Sequence, residues 1–232
     1  MSFEETRLLQ HPEVRTAYDL LMTLDMSDVM RNGVIRSAEF LSVHTDKKNP
    51  HVIAAALLIE AEDRVSDLSV IRNAVSPRTY ALFEEAKNAL GANPHTGGMP
   101  EIILDKGFRT PEALQINMAV MASLNLDIAL KVGPILITSL ETIERLKPLN
   151  IDTTDLTDEI ERMKIETMMH TSSLHRVFGD FLGKTGEPKL EDFFVRCFNT
   201  VAKLCEDDPM QTVPQFAKHP HTPPLPKGNF NL

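Results

Sequence analysis

The chain has 232 residues, 42% hydrophobic and 25% charged, an ordinary globular balance that is long enough to bury a sizeable core. Its net charge of -9 and the lack of any basic run denser than Lys47-Lys48 exclude nucleic acid as the main partner, because phosphate binding rests on clustered Lys and Arg. Cys197 and Cys205 are the only cysteines, too few and too widely spaced for a zinc or redox motif, and they read as buried, unoxidised thiols.

In chain order, the start MSFEETRLLQHPEV has no basic segment leading into an apolar one, which predicts no signal peptide. No uninterrupted apolar run approaches the roughly 18 residues of a membrane span, so no membrane partner is expected and the cytoplasm is the expected location. Apolar residues recur every three or four positions almost throughout, which predicts an all-α protein of about eight helices. The pattern places them at about 12–25, 27–44, 50–63, 67–75, 77–90, 111–131, 139–147, 154–182 and 190–206, with neighbouring pieces free to fuse. Asn49-Pro50, Ser76-Pro77 and Thr110-Pro111-Glu112 each set a capping side chain before a proline at the first helical position, where the missing N–H costs nothing. Thr138 with Glu141 reads as a further capping box.

The segment 50–63 raises a question of its own. Val52 to Ile59 are eight successive apolar residues, so this is expected to be the most buried helix of the N-terminal half, yet it runs into Glu60, Glu62 and Asp63. Carboxylates at a helix C-terminus oppose its partial negative charge. Two answers remain open: a pair between Arg36 and Glu60, or a solvated helix end with Glu60 and Arg64 bridging at i, i+4.

Between 91 and 109 lies a Gly- and Pro-bearing connection, a candidate binding loop, with His95 and the strand-like alternation of 100–105 inside it. The 154–182 helix carries an apolar stripe of Leu156, Ile160, Met163, Met168, Leu174, Phe178 and Phe181, which suits a core face or the surface of a homodimer. His170 and His175, five apart, point about 140° from each other on a helix and do not form an i, i+4 metal pair. The domain reading is a first helical domain over 1–150, a C-terminal helical hairpin over 151–210 packed on it, and a proline-rich tail over 211–232 with a P-x-x-P run at Pro223 to Pro226.

Three segments carry a family resemblance: AYDLLMTLDMSDVMRNGVIRSAEFLSV, NPHVIAAALLIEAEDR and ALQINMAVMASLNLDIAL, with SDLSVIRNAVSPRTYALFEEA between the last two. Their order and spacing over roughly residues 15 to 130 resemble the metal-dependent HD phosphohydrolases, in particular the guanosine tetraphosphate hydrolase domain of the RelA/SpoT family. The resemblance implies an HD-domain-like helical bundle with additional C-terminal helices. It also assigns a metal site whose ligands are not kept. Asp25 stands at the first histidine, Arg36 at the second, Ile59-Glu60 at the histidine-aspartate doublet, Glu62-Asp63 at the acidic pair that follows, and Val120 at the last aspartate. Ile59 and Val120 have no lone pair to offer and Arg36 repels a cation, so the resemblance implies no metal, no cofactor and no catalytic residue.

The leading functional expectation is therefore a non-catalytic regulatory or binding module for a protein partner or a small nucleotide. One alternative is a divergent metal-dependent phosphohydrolase acting on a nucleotide, which would hold magnesium or manganese weakly through His44, Glu60, Asp63 and Asp127, helped by Asp25 or Glu62; a register shift of one turn would bring in His51. Another is a helical oligomerising protein unrelated to the HD family. Ser-His-Asp order, phosphate-binding loops and metalloprotease helix motifs are not found in the sequence.

Overall fold

A computed structural model describes residues 7–61, 64–65, 67–90 and 108–206. His95, the alternating stretch 100–105, Glu62, Asp63 and the 211–232 tail lie outside the described residues, as do the side chains of His170 and His175. Among the described residues the chain is all-α with no strand: α1 (Pro12–Thr23), α2 (Asp28–His44), α3 (Pro50–Leu57), α4 (Ser69–Ala74), α5 (Pro77–Leu90), α6 (Pro111–Leu146), α7 (Thr154–Gly179) and α8 (Pro188–Glu206). The capping signals fall where the sequence puts them. Asn49 Oδ1 accepts the His51 N–H at 3.1 Å, Ser76 Oγ the Thr79 N–H at 3.3 Å and Thr110 Oγ1 the Ala113 N–H at 3.2 Å.

Two helices differ from the sequence expectation. The apolar run is buried from Val52 through Ile59, but α3 ends at Leu57, and the chain continues in tighter turns in which the Ile59, Ala61 and Arg64 N–H groups bond carbonyls three residues back. Glu60 thus stands beyond the helix, and the Arg64 guanidinium donates to Met30 Sδ at 3.4 Å. The second difference is α6, one helix where two were expected. Pro134 lies inside it, and the expected cap Thr138 is a mid-helix residue whose carbonyl accepts the Thr142 hydroxyl at 2.8 Å. A proline deletes one intrahelical bond and crowds the preceding turn, and here burial of the flanking apolar stripe outweighs that loss.

At 36 residues, α6 is the longest of the described helices. With its terminal turn, Pro111–Leu149 contains an 18-residue window of mean hydropathy 1.6, long and apolar enough to cross a membrane by composition. An uninterrupted apolar run is not visible there, because Ser123, Asn125, Asp127 and Lys131 interrupt it. Within the window 44% of residues are buried in the protein.

The backbone divides into two compact units, residues 1–124 with 174–195 and residues 125–173 with 196–232. In the first unit α3 packs against α1, α2 and α5, which is why it has no polar face. Ser123 of α6 and Ser37 of α2 both donate to the Gly33 carbonyl, at 3.0 and 2.9 Å, marking a close α2–α6 approach through small residues. Asn117 Nδ2, fully buried, reaches the Ala86 carbonyl of α5 at 3.0 Å. Glu85 of α5 binds the backbone N–H groups of Arg109 and Thr110, each at 2.7 Å, and so fixes the start of α6. The buried Glu187 does the same for the turn after α2, accepting the Asp46 N–H at 2.7 Å, while Lys189 pairs with Asp46.

In the second unit Leu136, Ile143 and Ile160 form a buried cluster, joined by Val132, Leu140, Leu156 and Met163. Leu156, Ile160 and Met163 of the α7 stripe thus pack in a core with α6, and Phe178 further along the stripe is fully buried; Ile165 and Met169, off the stripe, are exposed. Cys197 and Cys205 are buried, as expected. Replacing Pro134 with Ala restores the missing N–H, and we expect it to raise stability by up to about 3 kcal/mol, read from the urea unfolding midpoint. A fall in stability would mean that the proline is required where it stands.

Candidate functional site

The residues singled out by the family resemblance fall in varied surroundings. Asp25 is exposed in the link between α1 and α2, and Arg31, Asn32 and Gly33 lie in the opening turns of α2. Arg36 is buried within α2. Burial raises the pKa of the neighbouring Glu39 above its ordinary value, a shift that the Arg36 charge reduces but does not cancel. Ile59 and Val120 are buried aliphatics, and Glu60 is half-buried in the turn after α3.

The alternative ligand set is also dispersed in character. His44 is stacked on Phe193 of α8, ring centroids 3.9 Å apart and nearly parallel, with Phe40 set edge-on to the same phenyl ring at 4.5 Å. Asp127 belongs to the second unit. Among the described residues no group of three or more His, Cys, Asp or Glu side chains is disposed to hold a metal ion.

A different constellation is assembled in the first unit, at the meeting of three helix starts. Each begins with a capping residue followed by proline: His11-Pro12 for α1, Asn49-Pro50 for α3 and Ser76-Pro77 for α5. Glu13, in the first turn of α1, reaches across to α5, where its Oε1 accepts the Ser76 backbone N–H at 2.9 Å and the Thr79 hydroxyl. His51, in the first turn of α3, places Nδ1 3.0 Å from Thr79 Oγ1, 3.2 Å from Ser76 Oγ and 3.8 Å from Glu13 Oε1. Ser76 Oγ in turn donates to Thr79 Oγ1 at 3.1 Å. The arrangement works as a capping box completed from another helix: a Glu bonds the N-cap N–H, but the Glu comes from α1 and the N-cap from α5.

The residue types suggest a nucleophile, a base and an acid, but the geometry is not that of an acyl-transfer relay. In such a relay the histidine meets its nucleophile and its acid through opposite ring nitrogens, whereas here Ser76, Thr79 and Glu13 all approach Nδ1. What the cluster does chemically is hold a carboxylate as an anion. Burial alone would raise the pKa of Glu13; the hydrogen bonds from Thr79 and Ser76 and the nearby His51 outweigh it, and the net direction is downward from 4.5.

Sequence reasoning named His51 only as an alternative ligand and passed over Glu13. The usable signal was the threefold repetition of cap and proline, each followed in its first turn by a side chain able to hydrogen-bond. Compared with family models, with curated proteins and with solved structures, the chain matches none of them.

A carboxylate whose folded pKa lies below its unfolded value stabilises the fold in full above the unfolded value and loses that effect as pH falls through the folded one. The Glu13 contribution is therefore present at pH above the ordinary value of 4.5 and is lost progressively as pH falls from there through the lower folded value. Glu13→Gln should cost about 1–3 kcal/mol at pH 7 and reduce the loss of stability between pH 5 and about 3, measured by urea unfolding across that range. An unchanged acid profile in the variant would remove Glu13 from the account.

Proposed function

We propose that the protein is a non-catalytic helical module of HD-like descent that binds a protein partner or a small nucleotide in a regulatory role in the cytoplasm. One observation carries this reading. The places where the resemblance puts metal ligands hold two buried aliphatic side chains, Ile59 and Val120, and a buried cation, Arg36. Metal affinity depends on several donors acting together, and a guanidinium among them opposes the cation by direct repulsion. On this reading the charge of Arg36 stands in for the lost metal and answers two acids, Glu39 on the same helix and Glu60 in the turn after α3. The same replacement removes the metal-activated water on which phosphohydrolysis depends.

Elemental analysis and a hydrolysis assay on the purified full chain test the reading together. We expect less than stoichiometric manganese, zinc or iron and no manganese-dependent cleavage of guanosine tetraphosphate. Manganese-dependent cleavage that Glu60→Ala abolishes would overturn it in favour of a divergent phosphohydrolase.

A further inference from the structure

We infer that His51 keeps a proton on Nδ1 in both of its charge states and presents Nε2 as the proton-exchanging atom, an acceptor site for a hydroxyl or ammonium donor from a ligand or partner. The inference is independent of the HD-like reading and rests on the proton count in the Glu13, His51, Ser76 and Thr79 cluster. A carboxylate only accepts, so the single hydroxyl proton of Thr79 is committed to Glu13 Oε1. Thr79 Oγ1 is then an acceptor toward everything else around it. The shortest contact of the His51 ring, 3.0 Å from Nδ1 to that oxygen, is a hydrogen bond only if Nδ1 is the donor. The opposite assignment has Nδ1 accepting from Ser76 Oγ at 3.2 Å, but it sets a ring lone pair against Thr79 Oγ1 at 3.0 Å and faces the Glu13 carboxylate at 3.8 Å. With Nδ1 protonated, all three contacts are attractive.

The surroundings agree with this assignment. Of the helices packed against α3, α1 contributes Glu13 to the ring, and α5 contributes the hydroxyls of Ser76 and Thr79. From α2 no charged group among the described residues lies within hydrogen-bonding or ion-pairing distance of the ring. The other nitrogen, Nε2, has no hydrogen-bond partner among the described residues, and the side chain is 26% exposed to solvent. The nitrogen that binds is set by the hydrogen bond the other one makes, and here Thr79 makes that bond, with the Glu13 carboxylate 3.8 Å away favouring the same proton.

One consequence separates this histidine from an ordinary buried pH switch. Gaining a proton at Nε2 breaks no hydrogen bond of the cluster and adds a positive charge 3.8 Å from Glu13, so the ring can change charge while the three helix starts stay joined. His51 is thus able to exchange protons, or to turn from acceptor to donor, while the hydrogen bonds of the cluster stay in place.

Long-range 1H–15N NMR of the full-length protein tests this directly. Above the titration of the ring we expect Nδ1 to resonate as a protonated nitrogen and Nε2 as an unprotonated one, with Nε2 making the large shift on acidification. Thr79→Val should return the neutral ring to the Nε2–H form, and Thr79→Ser, which keeps the hydroxyl, should retain the wild-type pattern. A neutral wild-type ring protonated at Nε2 would overturn the inference whether or not Thr79→Val folds, and so would a folded Thr79→Val protein with an unchanged tautomer.

Discussion

The first unit depends on a single anion placed where three helices begin. A helix start carries unsatisfied N–H groups and about half a positive charge, so bringing the starts of α1, α3 and α5 together is unfavourable unless something negative sits among them. Glu13 is that group. It bonds the Ser76 N–H and the Thr79 hydroxyl directly and lies beside the His51 ring, so one carboxylate addresses α5 and α3 from α1. The same atoms that cap the helices thereby fix their relative direction, and α3 is held at the end from which its buried apolar run departs.

That burial has its own consequences downstream. Because α3 is enclosed by α1, α2 and α5, its sequence has no room for polar residues until the chain emerges, and the helix ends at Leu57, short of the acids. Glu60 therefore stands in a turn, and the adverse interaction between a carboxylate and a helix C-terminus does not arise in the form the sequence suggested. Arg36, buried one helix away in α2, faces a different balance. A buried guanidinium must be answered, and Glu39 on the same helix supplies at least part of the answer.

Local signals in the sequence were read well and non-local ones were not. The all-α class followed from apolar spacing, and the starts of α3, α5 and α6 followed from Asn49-Pro50, Ser76-Pro77 and Thr110-Pro111, because a cap and a proline act within one turn. The capping box at Thr138 and Glu141 misled for the same reason: as a local signal it starts a new helix, and only the packing of Leu136, Leu140 and Ile143 against α7 shows why α6 continues through Pro134 to Leu146. Glu13, His51 and Thr79 were illegible as a group, since each is unremarkable in its own segment and 66 residues separate the first from the last. Candidate ligands drawn from the family resemblance rest on order and spacing, which describe a backbone more readily than they describe a site.

The account stands or falls on the bond between Glu13 and the start of α5, and amide hydrogen exchange at Ser76 reads it most directly. The first N–H groups of a helix ordinarily lack an intrahelical partner and exchange quickly. Because Glu13 binds this one, we predict protection at Ser76 approaching that of the α5 interior, lost in Glu13→Gln while the Phe83 amide stays protected. Exchange of the Ser76 amide in the wild-type protein at the rate of an unstructured peptide would contradict the account.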